Sequence, residues 1–368
     1  MEDTSSGGSP AWTLDLSRLL LSLLAVGLML PAAHAAEPII GVVGPLSGSS
    51  RILGEQIVAG AFVASRATGA KLVTADDQCS AAGGKDAARR VIERKVSAVV
   101  GFLCTEALEA ALPLFKDARI PVITVGVRTD SLTDRHDRTQ WPLLRLAPRA
   151  DAEAAAVAST LTRLWREQNF AIVDDGTIGG RQLAEAFRAE AEQAGLKPVF
   201  IDTYRPDLEN QVALVGRLRR AGATHVLVGG NRQDIAIISR DAAARDYDLT
   251  VAGGESLRDD DSDVPLAPGT LMIGLPEWSE IAARSAMQAL AARAVIAEGY
   301  VLPAYAAVET ATAAPPAEPT GDPIAGFVGR DFVTALGTLR FDAKGDLTRS
   351  PYRPYRYDGR RFVEVEGE

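Results

Sequence analysis

Short apolar runs alternate with helix-length stretches from residue 38 to about residue 275, and no other feature limits the fold so tightly. Strands are expected at 39–44, 72–75, 98–102 and 121–125, with helices at 54–67, 85–95 and 105–117 between them. After Pro148 the rhythm restarts. Helices at 151–167, 180–194, 208–221 and 234–244 then alternate with strands at 170–173, 198–203, 225–228 and 250–252. Short apolar runs separated in this way read as buried parallel strands joined by crossover helices. Two such series imply an α/β fold of two doubly wound parallel-sheet lobes.

Beyond residue 275 the pattern changes. Residues 281–298 and 305–314 are expected to be helical, 314–323 a proline-rich loop, and 331–336 the end of a further helix. Residues 339–341 and 352–357 look extended, and Asp358-Gly359 suits a hairpin turn into 361–365.

The first 35 residues stand apart from the fold. An apolar run at 19–30 follows Arg18 and precedes Pro31, with Ala33 and Ala35 as small residues before a signal-peptidase cut. The run is short for a membrane span, so a cleaved export signal is favoured over a retained anchor. The remaining chain exceeds what one hydrophobic core usually serves. A net charge of −9 leaves no electrostatic footprint for nucleic acid and argues against an anionic membrane surface.

Cys79 and Cys104 are the only two cysteines, each just past an expected strand. Behind an export signal, such a pair suggests one structural disulfide rather than a reactive thiol site. It would tie together two strand ends on the edge where parallel α/β sheets receive ligands.

Read in order, several segments resemble the periplasmic branched-chain amino-acid binding proteins, the type I solute receptors of ABC importers. They include Val42-Val-Gly-Pro-Leu-Ser-Gly48, Asp76-Asp-Gln-Cys79, Val100-Gly-Phe-Leu-Cys-Thr105 and Ile120-Pro-Val-Ile-Thr124. Ala171-Ile-Val-Asp-Asp175, Gly229-Gly230, Gly253-Gly-Glu255, Tyr305-Ala-Ala and Phe341-Asp-Ala-Lys-Gly-Asp-Leu347 continue the series. The resemblance implies lobes joined by three crossing segments, near 147–150, 274–278 and 339–342. Residues 36–147 and 276–339 would form one lobe, and 148–275 with 340–368 the other. It also implies that Thr105, Gly126 and Arg128 hold a ligand carboxylate while Glu255 holds an ammonium.

The residues support these roles in part on their own. Thr105 falls at a strand-to-helix junction that suits either an anion or a plain N-cap. Glu255 follows two glycines, where a backbone can approach a ligand or merely form a solvated loop. Arg128 stands where relatives binding aliphatic amino acids carry threonine. It could add a bidentate anion site, or point away while its backbone serves. Tyrosines of such relatives fall near Gly179 and Asn231, and an aromatic near Leu53; Asn231 is counted here with the ligand-binding set.

Other signals reduce to structure. Gly41, Gly44 and Gly48 have neither dinucleotide nor P-loop spacing. His136, in the charged stretch 128–138, and His225 lack company for a triad or a metal site. Asp174-Asp175 and Asp259-Asp-Asp261 read as solvated turns. No enzyme activity, cofactor or metal is expected. The expected role is a monomeric periplasmic receptor delivering an amino acid or related small carboxylate to an inner-membrane ABC permease. Rival readings are an exported sensing module, an amide or aromatic-acid specificity, and an enzyme on the same scaffold.

Overall fold

β1 (Ile39–Gly44) is buried along nearly its whole length and lies one strand in from the edge of the first sheet. It pairs in parallel with β2 (Lys71–Asp76) on one side and β3 (Ala98–Gly101) on the other. β4 (Val122–Thr124) and β5 (Leu143–Arg145) extend the sheet in the order β2-β1-β3-β4-β5. The crossovers are α1 (Arg51–Thr68), α2 (Ala81–Glu93) and α3 (Thr105–Ala118), followed by the short α4 (Ser131–Asp134) and α5 (His136–Thr139).

The second sheet repeats this plan. α6 (Ala152–Leu164) leads to β6 (Phe170–Asp174), α7 (Ile178–Gln193), β7 (Phe200–Thr203) and α8 (Val212–Arg220). Then come β8 (His225–Gly229), α9 (Arg232–Ala243), β9 (Thr250–Gly253), a 3₁₀ turn over Glu255–Arg258 and β10 (Leu271–Gly274). The parallel order β7-β6-β8-β9-β10 matches that of the first sheet strand for strand. In both, the winding direction reverses beside the first strand, and the carboxyl edge there is where sheets of this kind generally receive ligands. α10 (Trp278–Ile281), α11 (Arg284–Ala291) and α12 (Val301–Ala313) return to the first lobe, where α12 packs along α1. β11 (Asp331–Thr334) and β12 (Gly337–Arg340) form a hairpin, and β13 (Arg353–Tyr357) and β14 (Phe362–Glu364) add an antiparallel edge to the second sheet.

The computed structural model describes Gly8 and residues 37–259, 263–315 and 320–365. Apart from Gly8, the residues of the expected export signal and its expected cut at Ala35 lie outside them, as do Asp260, Asp261 and part of the proline-rich loop. Among the described residues, no helix is long and apolar enough to cross a membrane.

Each sheet has apolar side chains packed on both faces, with separate clusters around Val42 and Val43 in the first lobe and Val173 and Ile172 in the second. That double burial explains why the strands read as continuous apolar runs. Ser80 accepts the Gly83 N–H at 3.1 Å, Thr177 the Gly180 N–H at 3.0 Å, and Asn231 the Asp234 N–H at 2.8 Å. These caps start α2, α7 and α9 just past their strands.

Several expectations are corrected. The span 331–336 is a strand and its turn, not a helix: Phe332 and Thr334 are buried while Asp331 and Val333 are exposed, a period of two. The expected long helix at 281–298 is broken, because Ala282 and Ala283 are extended and the Ala283 N–H donates to Ala335 O at 2.8 Å. Strands β5 and β10 and helices α4 and α5 were not anticipated. Asp174 is buried rather than solvated and accepts from the Gly176 N–H and the Thr203 hydroxyl. His136 is buried, 3.4 Å from Asp322, in α5 rather than in a loop.

Candidate functional site

The ends of β2 and β3, on either side of β1, are joined by the Cys79–Cys104 disulfide, with Cα atoms 5.2 Å apart. Gln78 and Cys79 take positive φ near 50°. Asp76 holds the Gln78 N–H at 2.8 Å and Asp77 the Cys79 N–H at 2.9 Å. Asp76 also accepts the Leu46 N–H at 2.8 Å, tying the loop after β1 to the loop after β2. The crevice edge of the first lobe is therefore held covalently and by two carboxylates.

Arg128 is presented by a turn beyond β4. Thr124, fully buried, donates to Phe102 O at 3.1 Å and accepts the Val127 N–H at 3.1 Å, which fixes that turn. At Gly126 a Cβ would lie 2.3 Å from the Leu103 side chain and 3.1 Å from the Tyr300 ring, so only glycine lets these groups close in. One Arg128 Nη donates to Tyr352 Oη at 2.6 Å and reaches Arg149 O at 3.5 Å. Its Nε is buried without an acceptor.

On the other lobe, Glu255 opens the 3₁₀ turn beyond β9. Its N–H donates to Glu153 Oε1 at 2.7 Å, and its Oε2 accepts the Leu275 N–H at 3.0 Å. A Cβ on Gly254 would sit 2.3 Å from Glu153 Oε1, so that glycine makes room for a neighbouring carboxylate. Arg258, one turn on, has its Nε 3.4 Å from Glu255 and donates to both Glu277 and Leu275 O. Burial holds the Glu255 carboxyl above the usual range; the Leu275 N–H, Arg258 and Arg128 oppose this and Glu153 adds to it. Tyr352 is pushed up to about 12, chiefly by burial.

Gly126, Arg128, Glu255 and Arg258 line one cleft of about 370 Å³, walled by Leu146, Pro148, Pro276, Trp278, Tyr300 and Pro303. Asn231 lines a neighbouring cleft of about 310 Å³ with Glu153, Thr177 and Ser256. Its side chain is occupied, accepting the Asp234 N–H and donating to Asp234 Oδ2 at 3.0 Å. Gly179 borders this second cleft and faces open space. Thr105 lines neither cleft; its hydroxyl is 2.7 Å from that of Thr129, next to Arg128. Cys104, not Thr105, occupies the N-cap position of α3, without a side-chain cap bond.

A two-lobed α/β body with such a cleft is a familiar receptor plan, and residues 39–317 match the family model for periplasmic binding proteins. The chain belongs to that family. Leu/Ile/Val-binding protein homolog 3 of Brucella melitensis is 28% identical, over 94% of this chain and 99% of the relative. The fold is shared with an ABC transporter substrate-binding protein of Desulfitobacterium hafniense in complex with Leu, with a TM-score of 0.61 and 19% identity over 89% of this chain and all (100%) of the other. An R. palustris solute-binding protein in complex with benzoate aligns with a TM-score of 0.54 and 16% identity, over 89% of this chain and 95% of the other. Relatives matched over nearly their whole length are named Leu/Ile/Val-binding proteins, BraC3 of Rhizobium johnstonii among them, 26% identical over 96% of this chain and 100% of the relative. Among the described residues, no group of three or more His, Cys, Asp or Glu could hold a metal ion.

Arg258, Glu153, Trp278, Tyr300 and Tyr352 were missed from the sequence. Trp278 ends a segment already expected to cross between lobes, and that position was its one available signal. Tyr300 fell within the stretch between two expected helices, and nothing local distinguishes it.

Proposed function

We propose that the chain is a periplasmic, monomeric receptor of an ABC importer, exported behind the cleaved N-terminal signal. It captures an amino acid or related small carboxylate between its lobes and delivers it to a permease in the inner membrane. The observation that carries this reading is the cleft in which Arg128 of one lobe faces Glu255 of the other. Arg128 and the Gly126 backbone receive the carboxylate, and Glu255 meets an ammonium where the ligand has one. Thr105, beside Thr129, completes the carboxylate end once the lobes close. Contacts from both lobes supply the differential affinity that closure requires.

Residues 36–147 with 276–339 would move as one lobe and 148–275 with β13 and β14 as the other; Phe341 packs in the first lobe's core and Asp346 pairs with Arg145, so the third crossing would fall beyond Asp346 rather than near 339–342. Isothermal titration of the mature chain against amino acids and small carboxylates, with X-ray scattering to read closure, tests the reading. Binding accompanied by a smaller radius of gyration is expected. Arg128→Gln should weaken binding by about 2–5 kcal/mol, as for a desolvated charged partner. A folded chain that binds no member of the panel would sink the proposal.

A further inference from the structure

The receptor reading leaves the ligand class open, and the partners of the charged groups in the cleft narrow it. Glu255 is already compensated, with Oε2 on the Leu275 N–H and the other edge facing Arg258. Glu153 Oε1 is taken by the Glu255 N–H. Arg258 is likewise occupied: it donates to Glu277 and to Leu275 O, and its guanidinium lies 5.3 Å over the Tyr355 ring.

Arg128 is different. Its hydrogen-bond partners are a tyrosine hydroxyl and a peptide carbonyl, both neutral. Among the described residues it forms no ion pair, whereas Arg258 pairs with Glu255 and Glu277; the Nε atoms of both are buried without a hydrogen-bond acceptor, but that of Arg258 lies 3.4 Å from the Glu255 carboxylate. A buried donor without a partner is costly and marks a place where an acceptor is missing. The cleft therefore offers one cation with no carboxylate in direct contact, set among Trp278, Tyr300, Pro276, Pro303 and Leu146. Flat aromatic and proline walls favour a flat apolar body, and a guanidinium favours a carboxylate.

We propose that the ligand is an aromatic monocarboxylate, its carboxylate on Arg128 and its ring between Trp278 and Tyr300. This rests on the receptor reading and narrows it. An ammonium brought by an α-amino acid would share the Glu255 carboxylate with Arg258 and the Leu275 N–H, whereas a simple aromatic acid brings no ammonium.

Benzoate, benzamide, cyclohexanecarboxylate and leucine are titrated into the mature chain, following heat and intrinsic fluorescence. Benzoate should bind at least tenfold more tightly than leucine and than benzamide, which keeps the ring but not the charge. The fluorescence change should disappear in Trp278→Phe. Arg128→Gln should lose at least tenfold in benzoate affinity; should that variant fail to fold by circular dichroism, Tyr300→Leu provides a second probe with the same direction. Leucine binding tenfold more tightly than benzoate would overturn this narrowing and leave the receptor reading intact. Benzamide binding as well as benzoate would remove the role of the Arg128 charge. Absence of binding by all four, with a folded chain, would overturn the narrowing; extending the titration to the wider amino-acid panel then decides the receptor reading separately.

Discussion

Arg149 touches more carboxylates than any other residue of the cleft region. Its guanidinium lies 2.9 Å from Asp346, 3.0 Å from Asp151, 3.1 Å from Asp134 and 3.6 Å from Asp130. The Arg149 hydrogen bond, helped by Lys344, holds the Asp134 carboxyl down at about 2, from an ordinary value of 3.8. A lowered carboxyl value stabilises the folded state above the unfolded value, and the gain is lost as pH falls through the folded one. Stability should therefore decline between about pH 4 and pH 2, and Asp134→Asn should flatten that part of the profile in urea titrations. An unchanged slope in the variant would deny Asp134 this part. Asn231 gives a second test at this scale. Because its amide caps α9, Asn231→Ala should cost about 0.5–2 kcal/mol of folding stability by denaturant unfolding. From the sequence, Asn231 and Glu255 are both polar residues beyond a strand end. What separates them is the partner each finds: the Asn231 cap is local and four residues wide, whereas Glu255 is held by Leu275 and Glu153 from distant segments. Local partners leave a trace in spacing; distant ones leave none.

Strands and helices were legible where burial imposes a period. β1, β3, β6 and β8 are buried on both faces, and their apolar runs are unbroken. β10 is equally buried but precedes a proline-bearing crossing, so its run merges with a connecting segment. β11 and its turn read as helix from the sequence because Phe332, Ala335 and Leu336 also fit a helical spacing. Gly337, at φ +88°, decides the matter by turning the chain back. Replacing Gly337 with valine should destabilise the fold by about 1–2 kcal/mol, the usual penalty of that backbone region for a side chain, measurable by chemical denaturation. The Cys79–Cys104 link acts between elements as well. It closes a loop of about 26 residues, worth roughly 3.5 kcal/mol by the chain-entropy argument. The Cys79→Ser, Cys104→Ser double variant should lose stability of that order, while reducing agent should leave the variant itself unaffected. A double variant as stable as the parent would show that Asp76 and Asp77 hold the edge unaided.

At the scale of the molecule, the chain passes between the two sheets three times, after β5, after β10 and before β13. The cleft arginines are bonded to all three passages. Arg128 reaches Arg149 O on the first and Tyr352 on the third, and Arg258 reaches Leu275 O and Glu277 on the second. The two-lobed plan could be anticipated because each lobe repeats one local rhythm; these fastenings could not, since they join residues as much as 224 positions apart. Arg258→Ala should loosen the second passage, giving a broader distribution of shapes in scattering from the ligand-free protein, while Arg258→Lys restores part of the order. Identical scattering curves for Arg258→Ala and the parent would remove that role.

The Arg128–Tyr352 bond sets a cost on capture. A solute that takes the Nη held by Tyr352 must first detach it from the phenol, so measured affinity is then the difference between two embraces rather than the strength of one. Tyr352→Phe abolishes the rival. It should bind the solute more tightly than the parent by roughly two- to tenfold, the equivalent of one net hydrogen bond, while the empty protein melts slightly earlier.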